Sequence, residues 1–167
     1  MKNKKKSILK RLMPYAGKKS VLLYMAMLMS AVSGIMVLMP MVFIHRIVNH
    51  LILNEMVDFA YIKANAIYAA VFSGLGLFIY LIGLVLSHIF AFEVEDNIIK
   101  TSVKKLINKP LGYFDDKESG RIRNVIVSGA SETHSFLAHQ LPDMAMTMIS
   151  PIVLIVFFFM FNWKLGL

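Results

Sequence analysis

Three apolar blocks, too long and too free of charge for a soluble core, constrain this chain more than any other feature. Val21–Ile44 holds 24 residues without a charged side chain, Ala64–Phe92 holds 29 with scattered polar groups, and Ala145–Trp163 holds 19. A bilayer core about 30 Å thick is crossed by roughly 20 helical residues, so each block is long enough to span it. The middle block is long enough to tilt or to project into the interface. Mean hydropathy is +0.65. The chain therefore reads as an all-α integral membrane protein with three transmembrane helices and a long helical hairpin between the second and third. A basic stretch before an apolar block also begins a cleaved signal peptide, but the first block far exceeds the 7–15 residues of such a segment. It is read as a retained span.

Charge sets the expected topology. Of the 18 basic residues, eight precede the first block (Lys2, Lys4, Lys5, Lys6, Lys10, Arg11, Lys18, Lys19) and seven lie between the second and third (Lys100, Lys104, Lys105, Lys109, Lys117, Arg121, Arg123). The stretch between the first two blocks holds only Arg46 and Lys63, balanced by Glu55 and Asp58. Lysine and arginine near span ends favour the cytoplasmic side. This predicts a multi-pass protein of the plasma membrane with a cytoplasmic N-terminus, a cytoplasmic hairpin and an outer 45–63 loop. That asymmetry accounts for the net charge of +8, so no nucleic-acid partner is expected. The absence of cysteine excludes disulfides and thiolate metal sites.

The expected order is a basic tail with an interfacial elbow helix (1–19), span one (20–44), an outer loop (45–63), span two (64–92), the hairpin (93–143), span three (144–163) and an outer turn (164–167). Ser7–Ala16 sets Ile8, Leu9, Leu12 and Met13 against Lys10 and Arg11, the pattern of a helix lying along the inner interface. Pro14 and Gly17 then redirect the chain. In the hairpin, Val94, Ile98, Ile99, Val103, Leu106 and Ile107 mark one arm, and Ile122, Val125, Ile126, Phe136, Leu137 and Leu141 the other. Each recurs at helical spacing. About 17 residues per arm give roughly 25 Å. The two arms meet at the turn Pro110-Leu-Gly-Tyr-Phe-Asp-Asp-Lys-Glu-Ser-Gly120.

Within the spans, small residues recur every fourth position: Ala26, Ser30 and Gly34 in the first, then Ala66, Ala70 and Gly74, and Gly83, Ser87 and Ala91 in the second. Such stripes let helices approach closely in lipid, so further helices or another copy are expected as partners. Pro40 and Pro151 are expected to kink their helices. The 13 methionines read as flexible apolar filler or as an adaptable binding surface. His88, near the inner end of span two, is a candidate path-lining residue, with a packed interfacial histidine as the other reading. No metal site is expected, because His45 and His50 have no carboxylate at ligand spacing.

Gly17-Lys-Lys-Ser20 has Leu12 where a phosphate loop requires glycine, and Gly74-Leu-Gly76 has Ile79 where a dinucleotide fingerprint does. The Asp115, Asp116 and Glu118 cluster suits the start of a helix better than acid–base work. No catalytic or cofactor-binding set is found.

Tyr113-Phe-Asp-Asp-Lys-Glu-Ser-Gly120, Arg121-Ile-Arg-Asn124 and Phe136-Leu-Ala-His-Gln-Leu-Pro-Asp143 resemble the first intracellular loop of exporter-type ABC transporters. Phe161-Asn-Trp-Lys-Leu-Gly-Leu167 resembles the short outer turn between their spans three and four. The resemblance covers essentially the whole chain, and the His139–Asp143 segment is similar to a subset that includes siderophore importers with the exporter fold. Val125 and Gly129 stand where many members have an arginine and an aspartate. The resemblance implies half of a transmembrane domain. Spans four to six, a nucleotide-binding domain holding ATP and Mg, and a homo- or heterodimer partner would lie outside these residues, as expected of a truncated frame or fragment. The complete assembly would be an ATP-hydrolysing translocase, exporting or importing. The resemblance further implies a coupling helix near 114–122, roughly Asp115 to Arg121, docked on the nucleotide-binding domain. Its expected contacts are Tyr113, Phe114 as apolar anchor, Asp115, Asp116, Lys117, Glu118, Ser119, Gly120 as a point of close approach, and Arg121. The alternative is a small helical membrane protein that does not transport and acts as an assembly or regulatory partner.

Overall fold

The computed structural model describes residues 8–53, 56–110, 112–115 and 119–161. Among these the chain is helical with no strand, and three of its helical stretches are long and apolar enough to cross a membrane. It is an all-α membrane protein.

Helix α1 (Ile8–Ala16) is followed by a single 3₁₀ turn, Gly17–Lys19. Gly17 has φ +54°, the left-handed conformation that ends helices and that a side chain disfavours. The elbow therefore turns at Gly17 even though Pro14 lies inside α1.

Span one is expected to end at Ile44, but the helical stretch runs on as α2 (Ser20–Leu38) and α3 (Pro40–Leu53). Pro40 cannot donate a backbone hydrogen bond, so the helix breaks at Met39 and restarts with proline in the first-turn position that tolerates it. Met39 N–H donates to Met36 O, and Met39 O accepts from Val42 N–H.

Helix α4 (Phe59–Ile107) is continuous for 49 residues, with no proline to interrupt it. Asp58 caps it, its Oδ1 accepting from the Ala60 and Tyr61 N–H groups at 2.9 and 3.2 Å. Pro110 forbids its continuation. At 1.5 Å per residue α4 is about 70 Å long, more than twice a hydrocarbon core. Then come α5 (Gly112–Asp115), α6 (Ser119–Ser135), a π turn (Phe136–Gln140) and α7 (Leu141–Phe161). The kink expected at Pro151 does not interrupt α7.

The chain divides into two compact units. One joins the described residues up to Met25 with Val85–Leu141, and it buries Leu23, Phe90, Val94 and Leu137. The other joins Ala26–Leu84 with the described residues from Pro142 onward, and it buries Ala26, Ser30, Ser33, Asn65 and Phe157. Most other large apolar side chains of the spans face outward, as lipid-facing residues do.

Candidate functional site

The hairpin begins where α4 outruns its apolar block. Its arms meet closely near the root, where Val94, Ala130 and Leu137 are buried. Towards the tip burial falls away, and Val103, Ile107 and Val125 are exposed. Two open grooves flank the tip. One, about 480 Å³, is floored by Leu106, Ile122 and Ile126 and rimmed by Lys105, Lys109 and Arg121. The other, about 340 Å³, is bounded by Ile99, Val103, Leu106, Phe114 and Ile122.

The tip turns early. Lys109 N–H donates to Leu106 O at 2.9 Å and Tyr113 N–H to Pro110 O at 3.0 Å, so a helical turn forms directly behind Pro110. The described helical residues here are Gly112–Asp115 and, from Ser119 onward, α6, and the expected coupling helix Asp115 to Arg121 runs through residues outside the described ones. Tyr113 and Phe114 meet edge to face, centroids 5.5 Å apart. Lys109 Nζ lies 5.7 Å from the Tyr113 ring. Tyr113 lines the first groove and Phe114 the second, both half-buried. Phe114 therefore holds its own tip together, whatever else it touches. Arg121 is exposed on the groove rim, and a Cβ on Gly120 would meet nothing within 4 Å among the described residues. Asp116, Lys117 and Glu118 lie outside the described residues, as do the side chains of Asp115 and Ser119.

At the root, proline chemistry shapes the chain. Pro142 has no N–H to return to Ala138 O four residues back. The helix widens into a π turn, Leu141 N–H donating to Phe136 O. The buried Ser87 Oγ–H of α4 supplies the Ala138 carbonyl at 2.8 Å instead. π turns concentrate at functional positions. Three histidines gather beside it: the His88 ring lies 4.8 Å from His139 and 5.5 Å from His134, with Phe92 4.4 Å from His134. His134 Nδ1 is 2.9 Å from Glu95 Oε2. On the elbow side, Lys19 Nζ pairs with Glu93 at 2.7 Å, and Asn97 Nδ2 donates to Tyr15 O at 2.9 Å.

In the second unit, a Cβ on Gly83 would lie 3.1 Å from Met29 Cβ and 3.3 Å from Ala26 O, and one on Gly34 would lie 3.0 Å from Met146 Cγ. Ala26, Ser30, Gly34 and Gly83 are buried, as are Ser87 and Ala91 in the first unit. The middle stripe behaves otherwise. Ala66, Ala70 and Gly74 are exposed, and a Cβ on Gly74 meets nothing, so that stripe packs against no described residue. The tight approach is instead at Gly76, 2.9 Å from Val37 Cγ2, with Ser33 Oγ–H donating to Gly76 O at 2.8 Å. Sequence reading passed over Gly76, although its seven-residue separation from Gly83 places both on one face. It also passed over Tyr80, whose hydroxyl donates to Asp143 Oδ1 at 3.1 Å, and over the partners of His88. Among the described residues no cluster of three potential ligands is placed to hold a metal ion.

Residues 23–167 match the family model described as the ABC transporter transmembrane region. Curated relatives include the mycobactin import ATP-binding/permease protein IrtA of Mycolicibacterium smegmatis, 30% identical over 63 residues (38% of this chain, 7% of that protein). The protein of the same name from Mycobacterium tuberculosis is 28% identical over 65 residues (39% and 8%). That from Mycolicibacterium thermoresistibile is 24% identical over 78 residues (47% and 8%). The aligned segments thus span less than a tenth of these relatives' length.

Proposed function

Because the chain belongs to the ABC transporter transmembrane-region family, we propose that it forms part of an exporter-fold translocation path and that its hairpin tip couples this path to a nucleotide-binding domain. It is a transmembrane transporter component, and lipid surrounds its spans. In our reading it sits in the plasma membrane with the N-terminus and hairpin in the cytoplasm, assembled with further transmembrane helices and a second transmembrane half. ATP and Mg belong to the motor domain. The curated relatives are named for mycobactin import; for this chain we carry over only ATP-driven movement of a small molecule, with His88 beside the path.

The observation that carries the coupling reading is the tip itself. A turn bearing Tyr113 and Phe114, half-buried and edge to face, closes two helical arms that continue into apolar spans. Apolar groups crowded at a polar tip favour a docking partner. Stiff helical arms of about 25 Å can carry a displacement made there.

The test uses this chain assembled with its motor domain in proteoliposomes. Phe114→Ala and Gly120→Trp should each lower transport about tenfold while ATP hydrolysis persists, a loss of about 1.4 kcal/mol of coupling. Unchanged transport per ATP in both variants would remove the coupling role. Cleavage of residues 110–124 only by proteases added on the outer side would remove the topology.

A further inference from the structure

Outside the tip, the most unusual chemistry lies at the hairpin root. His134 Nδ1 is buried, its side chain 14% exposed, and it has no aligned hydrogen-bond partner among the described residues. Yet a carboxylate oxygen of Glu95 lies 2.9 Å away. A neutral imidazole can offer Glu95 at most one uncharged N–H from Nδ1, and with its proton on Nε2 it offers none. An imidazolium turns the same approach into an ion pair. We propose that Glu95 of α4 and His134 of α6 form a proton-operated clasp that locks the two arms together at their root when His134 is protonated.

The surroundings fit this assignment and limit it. From α4, His134 is faced by Glu95, by His88 at 5.5 Å and by the Phe92 ring at 4.4 Å. His139, in the π turn, reaches His88 at 4.8 Å. The neighbouring acids of α4 are engaged elsewhere, Glu93 with Lys19 and Asp96 with Lys100. Glu132 of α6 lines a separate cavity with Leu12 of α1. Glu95 is thus the carboxylate placed against His134. A proton on His134, beside Glu95, closes the clasp. A second proton on His88 would set two cations with their rings 5.5 Å apart. This inference does not depend on motor docking at the tip.

The experiment is hydrogen–deuterium exchange of peptides covering residues 127–140 in the full chain in nanodiscs. It compares about pH 8 with about pH 6, the imidazole range, after correction for intrinsic exchange. The unaltered protein should be about fivefold or more better protected at the lower pH, and Glu95→Gln should abolish that difference. Equal protection at both pH values in the unaltered protein, or a difference that survives in Glu95→Gln, overturns the clasp. The swap Glu95→Lys with His134→Glu rebuilds an ion pair that does not titrate in this range. It should be protected at both pH values, and a swap that keeps the original pH response overturns the proposal equally.

Discussion

Ser87 gives its hydroxyl hydrogen to the Ala138 carbonyl, across 51 residues of sequence and 2.8 Å of space. The bond exists because Pro142 leaves that carbonyl without its helical donor. Removing the hydroxyl leaves a buried acceptor unpaired. Ser87→Ala should therefore destabilise the hairpin root by about 1 kcal/mol, the scale of interhelical hydrogen bonds in membranes. Pro142→Ala restores an N–H at the right position. The Ser87→Ala/Pro142→Ala double variant should regain most of the loss, and a double-mutant cycle by unfolding in mixed micelles measures it. Additive losses would show that the two residues act independently.

Glycines at equivalent spacings should respond in opposite ways. At Gly76 a Cβ would sit 2.9 Å from Val37 Cγ2 and 3.2 Å from Val37 N, and at Gly83 it would press on Met29 Cβ and the Ala26 carbonyl. Gly76→Ala and Gly83→Val should each destabilise by about 1–3 kcal/mol through overpacking. Gly74→Ala meets open space and should be neutral or favourable by up to about 1 kcal/mol, because alanine is the better helix former. Apparent melting temperatures in one detergent rank the three.

The start of α4 depends on one side chain. Asp58→Ala removes the acceptor for the Ala60 and Tyr61 N–H groups and should cost about 1 kcal/mol locally. Hydrogen exchange of residues 59–62 should accelerate while residues 85–100 stay unchanged. A uniform change along α4 would contradict a local cap.

Two contacts bind the elbow to α4, and they should not count equally. The Lys19–Glu93 pair is about half and one-third exposed, so Lys19→Ala should change stability little and lose even that at high salt. Asn97 Nδ2 satisfies the Tyr15 carbonyl at the end of α1, one of the groups a helix leaves without partners. Asn97→Leu should free the elbow more than Lys19→Ala does, read as faster tryptic cleavage after Lys10 and Arg11.

The spans were legible in the sequence because long uncharged blocks act locally, and so were the breaks at Pro40 and Pro110, whereas Pro14 and Pro151 lie inside their helices. Val21–Ile44 cannot lie anywhere but in lipid or a core, and Pro110 must stop α4. What a four-residue stripe cannot tell is which way it faces. Ala66, Ala70 and Gly74 repeat as regularly as Gly83, Ser87 and Ala91, yet only the latter set is buried. Nor does a lone His88 announce neighbours 46 and 51 positions away. At the tip, the Tyr113–Pro110 bond starts a turn that the acidic residues Asp115, Asp116 and Glu118 did not announce.

The five residues Phe136–Gln140 amount to one amino acid inserted into an α-helical ladder. A single insertion advances the angular phase of everything after it by about 100°. Deleting one residue there would return Phe136–Gln140 to an ordinary α-helical ladder.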